Sequence, residues 1–185
     1  MADIRILGIS GSLRKGSYNS AALRAAAGLV PAGATMEIFD ISNFPLYNED
    51  VKAQDFPEPV QRLREKIAAA DGLVFATPEY NYSTSGVLKN AIDWASRPPE
   101  QPFNDKAVAI LGASGGVIGT ARAQYHLRQI GVFLNMRFVN KPEVMIGGAA
   151  SKFDASGTLT DETTKGLIRD LMAELVTWSK RLKKA

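Results

Sequence analysis

The chain has 185 residues, of which 45% are hydrophobic and 22% are charged, a composition typical of one soluble globular domain and unlike that of a disordered chain. Lys and Arg exceed Asp and Glu by 22 − 19, so the net charge of +3 gives no reason to expect nucleic-acid binding. With no cysteine and one histidine, disulfides, thiolate nucleophiles and Cys-based or His-rich metal sites are excluded, and no metal is expected.

Predicted strands and helices alternate through the first half of the chain. Apolar residues at 4–9 and a partly alternating pattern at 35–41 predict two strands, with a helix at 18–30 between them. A longer loop at 43–59 contains three prolines. The next helix is indicated by apolar residues on one face, Val60, Leu63, Ile67 and Ala70.

The second half continues the alternation. Wholly apolar segments at 72–77 and 107–111 predict strands that are covered on both faces, and 138–139 together with 144–146 predict the last strand region. The helices are expected around 88–95, at 120–134 and at the C-terminal end, where one stripe contains Leu167, Leu171, Leu175, Trp178 and Leu182. Capping residues at 160–162 precede this last helix. Its basic cluster, Lys180, Arg181, Lys183 and Lys184, is interpreted as a solvated helix end.

This β-α order, repeated five times, predicts an α/β protein with an open parallel sheet and helices on both faces. Five strands fit the flavodoxin-like order 2-1-3-4-5, a three-layer sandwich formed by a single domain over residues 1–185. In such sheets ligands bind beyond the carboxyl ends of the strands, beside strand one. Three loops are therefore expected to meet there.

Loop one, residues 10–20, supplies four serine hydroxyls, an asparagine, two cations and two glycines just before a helix. Free backbone N–H groups and the positive end of the helix favour a phosphate there. It is not a P-loop, because Ser17-Tyr18 replaces the Lys-Ser/Thr that would hold the outer phosphates and magnesium. A phosphate monoester fits this loop, and a plain polar turn with a helix cap remains the alternative.

Loop two, residues 77–86, places two tyrosines and an asparagine at the end of a buried strand. Such side chains can flank and hydrogen-bond a planar heteroaromatic ring, and backbone amides of such a turn can tune a flavin. Simple surface packing of the tyrosines is the alternative.

Loop three, residues 112–119, contains glycines that allow a flat ligand edge to approach, and it matches the hydrolase pattern Gly-x-Ser-x-Gly around Ser114. A hydrolase needs an acid and then a histidine after that serine. The only histidine is His126, and no acid lies between the two. His126 is interpreted as structural or exposed, and any redox chemistry is expected to depend on a cofactor.

Four segments, at 11–19, 78–83, 88–94 and 116–129, together resemble the NADPH-dependent FMN reductase family, and within it the bacterial chromate and quinone reductases. The resemblance covers nearly the whole chain. It implies a flavodoxin-like fold that binds FMN, uses NADPH or NADH, reduces quinones by two electrons and accepts chromate adventitiously. The cofactor-binding residues that it implies are Ser10, Gly11, Ser12, Arg14, Ser17, Tyr18 and Asn19 at the phosphate and ribityl end, Pro78, Glu79, Tyr80, Asn81 and Tyr82 beside the ring, and Ser114, Gly115 and Gly116 at its far edge.

The resemblance also implies a homodimer or homotetramer in which Arg122, Tyr125 and Glu143, with Tyr82, form polar contacts between dimers. A solvated face at these positions is the alternative. Residues 1–5 contain no apolar signal-peptide core and no apolar run approaches the length of a membrane span, so a cytoplasmic protein is expected.

Two functions remain: an FMN-dependent NAD(P)H oxidoreductase, and a flavodoxin-type carrier of single electrons between protein partners. Carriers of that type are usually strongly acidic, so the charge of +3 favours the enzyme. Because the chain offers no obvious proton relay near neutral pH, the two substrates are expected to use one exposed ring face in turn, with ping-pong kinetics.

Overall fold

Strands and helices alternate along residues 4–183, the part of the chain that the computed structural model describes. The strands are β1 Ile4–Ser10, β2 Ala34–Phe39, β3 Gly72–Ala76, β4 Ala107–Ala113, β5 Arg137–Phe138 and β6 Val144–Ile146. The α-helices are α1 Tyr18–Gly28, α2 Glu49–Lys52, α3 Glu58–Ala69, α4 Gly86–Ala95, α5 Ala121–Phe133 and α6 Glu162–Leu182, and a 3₁₀ turn spans Ala149–Ser151. Residues 1–3 of the N-terminal segment and Lys184 of the basic cluster lie outside the described residues.

All strand pairs are parallel, and the order β2-β1-β3-β4-β5 confirms the predicted topology. The fifth position differs from the expectation of one strand, because two short strands fill it. β5 pairs with Ala107 and Val108 near the start of β4, and β6 pairs with Leu111 to Ala113 at its end. Pro142 lies between β5 and β6 and has no N–H group to donate to a strand ladder, which favours the interruption.

Alternate residues of the central strands enter two separate cores. Val74 and Ala76 face α1 and α6, whereas Leu73 and Phe75 face α3, α4 and α5. Every residue of β3 and β4 is buried, as expected for strands covered on both faces. The side chains of these strands are thus used in packing, and chemistry is left to the loops at their ends.

Capping side chains explain where two of the helices begin. Asp161 caps α6, as predicted, by accepting a hydrogen bond from the Thr164 N–H at 2.8 Å. The short helix α2 falls inside the predicted loop at 43–59, where the Asn48 side chain caps it by accepting a hydrogen bond from the Asp50 N–H at 2.9 Å. Among the helices of residues 4–183, none is sufficiently long and apolar to cross a membrane.

Candidate functional site

The three loops lie together because β1, β3 and β4 are neighbours that run in the same direction. Hydrogen bonds between main-chain groups continue past the strand ends. The Gly11 N–H donates to the Ala76 carbonyl at 2.8 Å, and the Thr77 N–H donates to the Leu111 carbonyl at 3.0 Å. Loops one, two and three therefore start from one continuous edge of the sheet, as the sequence predicts.

Loop one presents free N–H groups at the start of α1. Ser17 is the N-cap, and its side chain accepts a hydrogen bond from the Ser20 N–H at 3.3 Å while its carbonyl accepts one from the Ala21 N–H at 3.0 Å. The N–H groups of Tyr18 and Asn19, at the first two helical positions, have no acceptor inside the helix. This end of α1 can bind an anion.

The hydroxyls and cations of loop one are placed differently from one another. Ser10 Oγ lies 2.8 Å from Ser20 Oγ and accepts a hydrogen bond from the Ser12 N–H at 3.3 Å, so it stabilises the loop. Arg14 and Lys15 are exposed, and within residues 4–183 neither forms a salt bridge. The Arg14 guanidinium carbon lies 5.7 Å from the centre of the Tyr18 ring. Both cations are available to a phosphate.

Gly11 is required where loop one touches loop two. A Cβ at this position would lie 2.9 Å from Ser85 Oγ and 3.2 Å from Pro78 Cδ. Ser85 Oγ in turn donates a hydrogen bond to the Gly11 carbonyl at 2.6 Å. The lack of a side chain at Gly11 thus allows loop one to pack closely against loop two.

Loop two ends in a tight turn that exposes its aromatic rings. Tyr80 and Ser83 exchange main-chain hydrogen bonds of 2.9 and 3.0 Å, and the two residues between them, Asn81 and Tyr82, have φ angles of 50° and 66°. Asparagine tolerates this left-handed region, whereas tyrosine rarely adopts it. Tyr80 and Tyr82 are 54% and 71% exposed, so much of each ring is accessible at the edge of the site.

Glu79 turns its carboxylate away from the open side of the site and towards α5. Its Oε1 forms a salt bridge with Arg122 and accepts a hydrogen bond from that guanidinium. Its Oε2 accepts a hydrogen bond from the Ala123 N–H at 3.1 Å. The guanidinium carbon of Arg122 lies 3.8 Å from the centre of the Tyr82 ring. The Glu79 side chain therefore fixes loop two on α5, and only its main chain remains for a cofactor.

Loop three is held by the segment that follows β6. The Ser114 carbonyl accepts a hydrogen bond from the Ala149 N–H at 3.0 Å, and the Gly116 carbonyl accepts one from the Gly148 N–H at 3.2 Å. A Cβ on Gly147 would lie 2.2 Å from the Val117 carbonyl oxygen, whereas a Cβ on Gly115 would meet nothing within 4 Å. Loop three is therefore fixed on the side that contacts residues 147–149 and is open at Gly115.

Asn19 connects loop one to the start of loop three. Its Nδ2 donates to the Ala113 carbonyl at 2.9 Å and its Oδ1 accepts from the Ala113 N–H at 2.8 Å. The residue is 5% exposed. Both ends of its side-chain amide are bound to the framework, although the resemblance implies that Asn19 holds the phosphate and ribityl end.

His126 is exposed, and its Nδ1 lies 2.8 Å from Ser83 Oγ. Ser114 Oγ, the nucleophile that a hydrolase would require, accepts a hydrogen bond from the Gly116 N–H at 3.1 Å. The histidine thus pairs with loop two and not with Ser114, which agrees with the rejection of a hydrolase and with an exposed His126.

Two residues that shape the site were not singled out in the sequence. Ser85 ties loop two to loop one and also caps α4, by accepting a hydrogen bond from the Leu88 N–H at 3.2 Å. Its position directly before a helical pattern was the available signal. Gly147 gives no such signal, because its close contact with Val117 arises only in the tertiary structure.

The sheet order defines a flavodoxin-like α/β protein, and its three loops lie at the carboxyl edge of the strands, where proteins of this fold bind nucleotide-type cofactors. The model of the NADPH-dependent FMN reductase family matches residues 4–151. The chain belongs to this family of oxidoreductases, and the predicted resemblance is confirmed.

Relatives and solved structures agree with this membership. The chain is 64% identical to the NAD(P)H-dependent FMN reductase of Pseudomonas aeruginosa, over 98% of both proteins. It is 48% identical to an NAD(P)H:quinone oxidoreductase of Solanum tuberosum, over 97% of this chain and 95% of that protein. A flavoenzyme NAD(P)H:(acceptor) oxidoreductase from Paracoccus denitrificans has a similar structure, with a TM-score of 0.87, 35% identity and coverage of 96% of this chain and 98% of that chain.

Proposed function

We propose that this chain is an FMN-dependent NAD(P)H oxidoreductase that reduces quinones. The observation that carries the proposal is that loops one, two and three lie at one edge of the sheet, in a member of the FMN reductase family. Each loop presents a different kind of group to a ligand. Relatives named as FMN reductase and quinone oxidoreductase, at 64% and 48% identity, support the same chemistry.

The residues present fit FMN. The unpaired N–H groups of Tyr18 and Asn19, with the cation of Arg14, suit a phosphate monoester. The exposed rings of Tyr80 and Tyr82 suit a planar ring system, and the open backbone at Gly115 suits its edge. FMN, when bound, would accept a hydride from NAD(P)H and supply electrons to the quinone.

The chain itself would bind, orient and shield the reactants. The carboxylate and the imidazole nearest loops two and three both have partners within the protein, since Glu79 is paired with Arg122 and His126 with Ser83. We therefore expect no side chain to relay protons during turnover. Tyr80, Tyr82 and Val117 form an exposed edge, and Val117 is 94% exposed. This edge leaves room for two substrates to use the site in turn.

The finer expectations belong to the same proposal. Adventitious chromate reduction, a homodimer or homotetramer and a cytoplasmic location are implied by the resemblance or expected from the sequence. In this proposal Ser10, Ser12 and Ser17 lie with Arg14 at the phosphate end. The segments Pro78 to Tyr82 and Ser114 to Gly116 flank the ring. The side chains of Glu79 and Asn19 contribute by holding the loops in place.

The test is direct oxidation of NADH and NADPH by the purified, FMN-loaded protein with menadione as the quinone. We expect nucleotide oxidation without any added reductase, and parallel double-reciprocal lines as menadione is varied, because the two substrates use one face in turn. A protein that takes up FMN and yet needs a partner reductase would be an electron carrier. Intersecting lines would show that both substrates occupy the site together.

A further inference from the structure

We propose that Asn19 is a positioning residue that holds loop three, at the ring end of the proposed flavin site, in place against the start of α1. The inference rests on the proposed binding of FMN. It concerns a side chain that touches neither end directly and acts through Ala113.

The Asn19 amide takes the place of a missing strand. Ala113 is the last residue of β4, and its N–H and carbonyl groups both bind the Asn19 side chain, at 2.8 and 2.9 Å. Two residues earlier, the Leu111 carbonyl accepts a hydrogen bond from Thr77 at the end of β3. In a strand, the main-chain N–H and carbonyl groups of every second residue point to the same neighbouring strand. Those of Ala113 therefore point to the side of β3, where the chain has already turned into loop two. Asn19 supplies the donor and acceptor that β3 no longer provides.

This position makes Asn19 a link between two functional segments. Asn19 is the second residue of α1, whose first N–H groups form the anion site, and Ala113 directly precedes Ser114 at the start of loop three. Its burial, at 5% exposure, keeps water from competing for these two hydrogen bonds. A shift of Asn19 would therefore move loop three relative to the end of α1.

Comparison of FMN with riboflavin, which lacks the phosphate, distinguishes positioning from direct contact. A direct phosphate ligand contributes only to FMN binding, whereas a residue that places loop three contributes to both flavins. The variants are Asn19→Leu, which removes both hydrogen bonds, and Asn19→Ser, which is uncharged and too short to bond both main-chain groups of Ala113. We expect each to weaken both flavins by the same factor, about tenfold for Asn19→Leu, and to shift the absorption band of the bound flavin.

The chain offers a matched control in Asn90. This asparagine also binds main-chain groups through both ends of its amide, donating to the Pro45 carbonyl at 2.9 Å and accepting from the Tyr47 N–H at 2.8 Å, but on α4 and outside the three loops. Asn90→Leu is expected to lower the melting temperature and to leave both flavin affinities within about twofold. Circular dichroism verifies that each variant is folded, and Asn19→Ser answers the question if Asn19→Leu does not fold.

The outcomes separate the two proposals. Loss of FMN affinity with unchanged riboflavin affinity would make Asn19 a direct phosphate ligand and overturn the inference, as would affinities equal to those of Asn90→Leu. Failure of the wild-type protein to bind FMN at all would instead contradict the proposed function.

Discussion

At the scale of single residues, side chains of the site have two distinct uses. Arg14 and Tyr80 are exposed and accessible to a ligand, whereas Asn19 and Glu79 join loops to the framework. A sequence pattern indicates which residue types a loop contains but not where each side chain points. That direction depends on which buried main-chain groups need a partner, because buried polar groups are almost always hydrogen-bonded.

Of the two cations in loop one, Arg14 is expected to contribute more to FMN binding than Lys15. Arg14→Ala should weaken FMN binding by about 1.5 to 3 kcal/mol, because a charge-assisted hydrogen bond is lost. Lys15→Ala should weaken it less, since an ammonium group is the less specific partner of a phosphate. Titration of the apoprotein with FMN measures both. Unchanged affinity in both variants would exclude a phosphate-binding role for these side chains.

At the scale of secondary structure, the elements that position the site follow directly from the sequence. The apolar segments of β3 and β4 and the cap residue Asp161 are local features, and each is confirmed. The split of the fifth strand into β5 and β6 was not predicted, because its apolar residues are few and the pairing with β4 is a tertiary property. The joining of the loops by Ser85 and Asn19 depends likewise on contacts between distant residues.

Asp71 fixes the C-terminal end of α6 to the sheet. Its carboxylate accepts hydrogen bonds of 2.9 Å from the Arg5 N–H in β1 and from Lys183 directly after α6. Burial alone would raise the pKa of the Asp71 carboxyl, but the hydrogen bonds from Arg5 and Lys183 outweigh it and hold that pKa below its usual value. The ionised form is therefore stabilised in the folded protein.

Asp71→Asn should consequently destabilise the protein in a pH-dependent way. Because the folded pKa is lowered, the contribution of Asp71 is fully present above the unfolded pKa of about 4 and is lost as the pH falls through the folded pKa. We expect a loss of about 1 kcal/mol in the free energy of unfolding at pH 7, and a smaller difference from wild type at pH 3. Urea unfolding at both pH values measures it, with the exposed α6 residue Asp170→Asn as control. A difference that stays constant between the two pH values would contradict the role of the ionised carboxylate.

At the scale of the whole molecule, the outer face of α5 adjoins the site. Arg122, near the start of this helix, contacts both Glu79 and the Tyr82 ring of loop two. Three residues further on, Tyr125 is 53% exposed, and a hydrogen bond with the Glu143 carboxylate raises the pKa of its hydroxyl. A partner that bound this face would therefore contact residues that are connected to the turn of loop two.

Tyr125 tests whether this face forms the contact between dimers. If Tyr125 and Glu143 bind a second dimer, Tyr125→Ala should convert a tetramer into dimers, because it removes both the exposed ring and its hydroxyl. Tyr125→Phe keeps the ring and removes only the hydroxyl, so a tetramer that survives in Tyr125→Phe but not in Tyr125→Ala would assign the contact to packing of the ring. Light scattering at several protein concentrations gives the mass of each variant. The same oligomer in wild type and Tyr125→Ala would exclude this contact, while leaving assembly through another surface open to the same measurement.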